Sequence, residues 1–142
     1  MQRPDFTKKF ILHTDASDFG IGAVLFQLDD NKREHAVVYL SQSLSKPERN
    51  YNTTEREALA VIWAVKKLRK YLLGLEVEIV VDHQALKWLL NQPDPSGRLA
   101  RWINTLQEYN YTVTYRKGTS HQNADALSRI PTHLFSTSTT QK

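Results

Sequence analysis

The sequence contains no cysteine. That excludes a disulfide framework, a cysteine-based zinc site and a cysteine nucleophile, and it fits a reducing compartment. Long apolar runs are also missing. None approaches the ~18 residues expected of a membrane helix. The first residues, Met1-Gln2-Arg3-Pro4-Asp5, lack the apolar stretch of a signal peptide. No charge sign dominates strongly: the net charge of +4 over 142 residues permits a polyanionic partner without demanding one. There is no internal repeat. What remains is an ordinary globular composition, long enough for one domain with a real core.

Apolar stretches and turn signals give the organisation. Residues 1–9 are polar, contain Pro4 and read as a linker. Phe10 to Thr14 reads as a strand that ends on Asp15, and Gly22 to Leu28 as a second after a small-residue turn. Asp29-Asp30-Asn31-Lys32 reads as a hairpin turn, and His35 to Ser41 as a third strand. Three strands joined by short loops imply an antiparallel meander. Ser45 to Tyr51 is expected to be irregular, with Pro47 breaking any helix.

A long helix is expected over Thr53 to Leu73, with Ala58, Val61, Ile62, Val65, Leu68 and Leu72 on its buried face. Asn52 with Glu55 forms one capping-box registration, and Thr54 with Glu57 is the rival. Lys66, Lys67, Arg69 and Lys70 suit the negative end of the helix dipole and could also meet phosphates. Gly74 should end the helix. Glu76 to Val81 is a fourth strand, whose continuous apolar run Ile79-Val80-Val81 ends, like the first strand, on an aspartate, Asp82. Helices over His83–Leu90 and Arg98–Glu108, a strand over Tyr111–Tyr115 and a short helix over Gln122–Arg129 follow. The Thr/Ser-rich end, 131–142, reads as a flexible tail. The expected fold is mixed α/β, with helices against a five-stranded sheet and the fourth strand parallel to the first. Asp15 and Asp82 would then end adjacent strands at one edge, where such sheets place their sites.

Four acids form the candidate site. Asp15 near the end of a central strand is either a turn-former or a ligand. Glu57 lies one turn before Val61 and two before Val65, so its carboxylate should face the sheet unless it caps its own helix through Thr54. Asp125 is either a first-turn residue favoured by the helix dipole or a fourth ligand. Carboxylates that converge without fixed cationic partners repel, and a divalent ion removes that cost. Oxygen-only ligands point to Mg²⁺ or Mn²⁺ rather than zinc. Two such ions about 3.5–4 Å apart form a clamp for phosphoryl transfer.

The chain resembles the ribonuclease H domain of gypsy-type LTR retrotransposon polyproteins. Several stretches carry the resemblance: Thr14-Asp15-Ala16-Ser17 with Gly20 and Gly22-Ala23-Val24-Leu25; Tyr39-Leu40-Ser41; Glu48 with Asn50-Tyr51; and Glu55-Arg56-Glu57-Ala58-Leu59-Ala60-Val61. It continues through Asp82-His83-Gln84-Ala85-Leu86, Gly97-Arg98-Leu99-Ala100-Arg101-Trp102 and Ala124-Asp125-Ala126-Leu127-Ser128-Arg129. It implies a ribonuclease H-like domain over 10–130, preceded by a reverse transcriptase junction. It also implies an Asp-Glu-Asp-Asp site of Asp15, Glu57, Asp82 and Asp125 holding two Mg²⁺ ions, with Mn²⁺ able to substitute. Glu55 is the rival for the second place. Tyr115 stands ten residues before Asp125, where many ribonucleases H carry a histidine; His121 is a second candidate for that role.

The implied reaction is cleavage of the RNA strand of an RNA–DNA hybrid during reverse transcription, leaving 3′-hydroxyl and 5′-phosphate ends. The implied substrate contacts are Ala16, Ser17 and Gln84 near the RNA strand, with Arg98, Arg101, Arg116 and Lys117 at phosphates. The implied partners are the hybrid and the reverse transcriptase of the same polyprotein. A monomer is expected, in an intracellular setting (a cytoplasmic particle or the nucleus) and without a membrane. The basic protrusion found in many relatives is absent, since Asn91 to Gly97 carries no lysine or arginine. Two other readings stand beside this one. The first is a catalytically inactive or domesticated copy with a structural or nucleic-acid-binding role. The second is a transposase or integrase nuclease; those place the glutamate after the fourth strand, whereas Glu57 precedes it.

Overall fold

Apolar residues on both sides of a strand require cover on both sides, and β1 (Phe10–Ala16) has it. A computed structural model describes residues 3–81 and 85–115. β1 pairs antiparallel with β2 (Gly20–Leu28), which pairs antiparallel with β3 (Glu34–Ser43). On its other side β1 pairs in parallel with β4 (Glu76–Val81), and β4 with β5 (Asn110–Tyr115). The spatial order is β3-β2-β1-β4-β5. This is the meander with parallel additions that the sequence pattern implies. No described helix is long and apolar enough to cross a membrane.

Strand alternation divides the two faces. Phe10 and Leu12 of β1, Ala23 and Leu25 of β2 and Val77 and Ile79 of β4 belong to the main core with the helices. Ile11, Val24, Phe26 and Val80 form a second cluster on the opposite face. His13 belongs to that face too. It is 2% exposed, lies edge-on to Phe26, and its Nε2 is 3.3 Å from Glu34 Oε2. The N-terminal residues are tied down as well: Asp5 N–H donates to Gln27 Oε1, and Gln27 Nε2 donates to the Asp5 and Lys8 carbonyls.

Helix α2 (Thr53–Lys67) packs on β1 and β2. Its buried face is the one the periodicity predicts, including Ala58, Val61, Ile62 and Val65. Its start is a capping box. Asn52 Oδ1 accepts from Glu55 N–H at 2.8 Å, and Glu55 Oε1 accepts from Asn52 N–H at 3.2 Å. The Thr54–Glu57 registration falls inside the helix instead.

The helical boundaries differ from expectation in two places. Lys46–Arg49 is a short helix, α1, although Pro47 argued for irregular chain. Proline costs nothing in a first turn, where its missing N–H has no acceptor to reach, and Ser45 and Glu48 cap each other there. The second difference is that the long helix breaks at Leu68 (φ −99°, ψ 14°) and resumes as α3 (Arg69–Leu72). Leu68 and Leu72 are both buried, so the apolar period runs through the break and hides it. Gly74 then takes φ +83°, a conformation glycine adopts without strain. The shorter helices α4 (Ala85–Leu90) and α5 (Gly97–Gln107) complete the layer, and α5 is capped by Ser96. The expected helix over 122–129 and the tail lie outside the described residues.

A candidate metal and nucleic-acid site

The end of β1 is fixed by a tight turn. Ser17 N–H donates to the Gly20 carbonyl at 2.8 Å, and Ser17 Oγ accepts from the N–H groups of Phe19 and Gly20. The turn therefore uses the Ser17 hydroxyl for its own closure. Asp15 is exposed at this end, and its Oδ1 accepts from the Ala16 N–H at 3.0 Å. It pairs with Gly22 in the ladder, and alternation assigns its side chain to the face of Ile11 and His13. Ala16 is half-buried against the helical core.

Glu57 is brought to the same end of the molecule by its neighbour. Arg56 Nη2 lies 3.0 Å from Asp18 Oδ1 in the β1–β2 turn, and its Nη1 donates to the Tyr51 carbonyl at 2.6 Å. At the far end, Phe10 at the start of β1 meets Tyr71 of α3 edge-on. Helix α2 thus begins beside the end of β1 and runs back along it. Glu57 is half-buried, in line with the fully buried Val61 and Val65. The carboxylate on the sheet-facing stripe is Glu57, and the capping carboxylate is Glu55. The Arg56–Asp18 latch has no signal in the sequence, since an Arg and an Asp 38 residues apart carry no pattern.

Two nearby guanidiniums are committed to other acids. Arg56 is held by Asp18, and Arg98 pairs with Glu55. Arg98 is further stacked over the rings of Tyr51 (4.1 Å) and Trp102 (5.3 Å), so it ties the start of α5 to the start of α2. Arg101 is exposed on α5, one turn further on.

Tyr115 ends β5 beside Val81, the last described residue of β4. It is 40% exposed. Burial raises its phenol pKa above the usual value, and a hydrogen bond with the Lys87 backbone opposes that shift. The group is a neutral hydrogen-bonding phenol at physiological pH and not a ready base. Asp82, Gln84, Arg116, Lys117, His121 and Asp125 lie outside the described residues. Among the described residues, no three metal-ligating side chains form a cluster. Asp15 and Glu57 are the two members of the predicted set that are described, and they occupy one end of the sheet.

A five-stranded mixed sheet with helices packed along its central strands, and acids at the end of its first strand, defines the ribonuclease H-like class. The chain belongs to the family described as the RNase H-like domain found in reverse transcriptase, which it matches over residues 5–109. It is 46% identical over 130 residues to the retrovirus-related Pol polyprotein from transposon 297 of Drosophila melanogaster, covering 92% of this chain and 12% of that protein. It is 47% identical over 137 residues to the corresponding polyprotein from transposon opus of the same species, covering 96% and 14%. The chain thus spans about an eighth of the length of these curated relatives.

Solved structures share the fold at low identity. A foamy viral protease-reverse transcriptase in complex with RNA/DNA hybrid aligns with a TM-score of 0.60 at 19% identity, covering 84% of this chain and 16% of that one. RNase H1 from the halophilic archaeon Halobacterium salinarum NRC-1 aligns with a TM-score of 0.56 at 15% identity, covering 84% and 93%. The expected family and fold are both borne out.

Proposed function

We propose that this domain is an endonuclease that cuts the RNA strand of RNA–DNA hybrids during reverse transcription, leaving 3′-hydroxyl and 5′-phosphate ends. The supporting observation is the convergence at the end of β1. An exposed Asp15 sits on a rigid central strand, and the Arg56–Asp18 latch draws the half-buried Glu57 to the same end. Val81 closes the neighbouring parallel strand one residue before Asp82 in the chain. Family membership and a fold neighbour solved with RNA/DNA hybrid point the same way.

Asp15 and Glu57 fit a hard divalent ion. Both offer carboxylate oxygens, the ligand type such an ion takes. Asp15, Glu57, Asp82 and Asp125 would hold two Mg²⁺ ions, with Mn²⁺ able to substitute. Those ions would supply an activated water and charge stabilisation on the leaving oxygen. The chain's own contribution is position. The β1 ladder holds Asp15, the closed Ser17–Gly20 turn presents backbone at Ala16 and Ser17 to the RNA strand, and the Tyr115 phenol can donate a hydrogen bond. Gln84, Arg101, Arg116 and Lys117 are proposed contacts to the hybrid, and Arg98 supports α5 from beneath. The proposed setting is an intracellular particle or the nucleus, with reverse transcriptase as the covalent neighbour.

The test uses labelled RNA–DNA hybrid, duplex DNA and duplex RNA, each with and without Mg²⁺. Metal-dependent cleavage of the hybrid alone is expected, and Asp15→Asn should abolish it while hybrid binding in chelator persists. Binding without cleavage at any enzyme concentration would instead make this a non-catalytic copy.

A further inference from the structure

Phe19 stands out among the exposed apolar side chains. It is 65% exposed, more than any other large hydrophobic side chain among the described residues. Phe6, at 51%, is explained by packing: it stacks on Tyr71 and meets Phe10 edge-on at the far end of the sheet. Phe19 has no aromatic neighbour among the described residues. Its ring contact is the guanidinium of Arg49, whose Cζ lies 5.8 Å from the ring centroid.

Scattered exposed hydrophobics need no explanation, but the backbone that carries this one is fixed on both sides. Phe19 N–H donates to Ser17 Oγ at 3.3 Å, and its carbonyl accepts from Leu44 N–H at 2.8 Å. The residue before it, Asp18, is the one latched to Arg56. Arg49 projects from the last turn of α1, is exposed, and has no ion-pair partner among the described residues. An apolar ring and an uncommitted cation are therefore held side by side, four residues beyond Asp15 and at the end of the molecule where Glu57 lies.

We propose that Phe19 and Arg49 form a nucleic-acid contact at the edge of the site. The inference rests on the hybrid-nuclease reading above. The open ring face packs against a sugar or base edge of the hybrid, and the guanidinium meets an adjacent phosphate. The chemistry is sequence-tolerant, because every nucleotide offers an apolar face and a phosphate. It also suits the wide, shallow minor groove of an A-like duplex, which admits a short turn but little more. The contact sets where the hybrid lies across the end of β1; it takes no part in bond breaking.

The test measures binding of fluorescein-labelled RNA–DNA hybrid by anisotropy in chelator, and steady-state cleavage in Mg²⁺. Phe19→Ala should weaken binding about 5- to 160-fold, the range for loss of an aromatic–base contact. KM should rise by a similar factor with kcat unchanged. Phe19→Trp should stay within about two-fold of the parent, since an aromatic face is kept. Phe6→Ala removes an equally large ring at the far end and should leave binding unchanged. Arg49→Ala should weaken binding and reduce the salt slope by about 1. Equal affinities for the parent, Phe19→Ala and Phe6→Ala would overturn the inference while leaving the nuclease reading intact. A parent domain that neither binds nor cleaves hybrid would overturn both.

Discussion

Glu55 and Glu57 are two residues apart on one helix and are assigned opposite work. Glu55 closes the capping box with Asn52 and pairs with Arg98. Glu57 lies on the sheet-facing stripe, at the same end of the molecule as Asp15. Neutralising each should therefore move different observables. Glu55→Gln loses the charge that holds Arg98 between Tyr51 and Trp102, where Arg98 Nε is already buried without a partner. Glutamine keeps the capping box, so the cost should be about 1 kcal/mol of stability, the scale of a weakened charged hydrogen bond, with specific activity nearly unchanged. Glu57→Gln should leave the midpoint of urea unfolding in place. Its cleavage rate should fall at least about 100-fold, since even outer-shell partners of a metal cost 10- to 100-fold when removed. Paired unfolding and cleavage measurements check both, and equal activity losses would sink the assignment. The division was legible in sequence, because the capping pattern and the apolar stripe select different glutamates. The Arg98 stack was not: the contact joins residues 43 apart, and nothing local in Gly97-Arg98-Leu99 separates a phosphate-binding arginine from a structural one.

At the scale of elements, the strands and their pairing were readable because each signal is local and periodic. The bounds of β4 match expectation at both ends, since Gly74 before it and the apolar run Ile79-Val80-Val81 stopping at Asp82 leave little choice. The helix break at Leu68 and the short helix at Pro47 were hidden, one by continuous periodicity and the other by a residue read as a breaker. Nor could the sequence show what joins the parallel strands on their exposed side. Glu78 of β4 accepts from Thr114 Oγ1 of β5 at 2.7 Å and from Lys9 Nζ at 3.2 Å. The Thr114 hydrogen bond, then that of Lys9, lowers the Glu78 carboxyl pKa below its ordinary value of 4.5, against the effect of burial. A lowered folded pKa means that the unfolded chain binds the proton more readily. The stabilisation is complete above the ordinary value and is lost as pH falls through the lower folded one. Glu78→Gln should therefore flatten the acid limb of the stability profile below about pH 4.5, where the parent loses this contribution. Thermal unfolding across that window reads it, and identical slopes for the two proteins would exclude the role.

At the scale of the whole molecule, the chain spans about an eighth of the Pol polyproteins it is related to, and the proposed function gives it a covalent neighbour. The link between α4 and α5, from Asn91 to Ser96, contains Asp94 and no lysine or arginine. Of the arginines near the site, Arg56 and Arg98 are bound to acids of the chain itself, which leaves Arg49 and Arg101 as the exposed ones in the described part. A net charge of +4 spread over the whole chain adds little steering. Affinity for a duplex scales with the phosphates neutralised, and each contributes about −0.9 to the slope of log K against log salt. With few free cations at the site among the described residues, the isolated domain should bind hybrid weakly, with a slope of only about −2 to −4. Joined to the reverse transcriptase proposed as its covalent neighbour, the same domain should bind at least about 10-fold more tightly and with a steeper slope, because a second module raises the local concentration of hybrid at this site. Anisotropy titrations of both forms from low to moderate salt would show it. If the isolated domain matched the longer protein in affinity and slope, the dependence on its neighbour would be refuted.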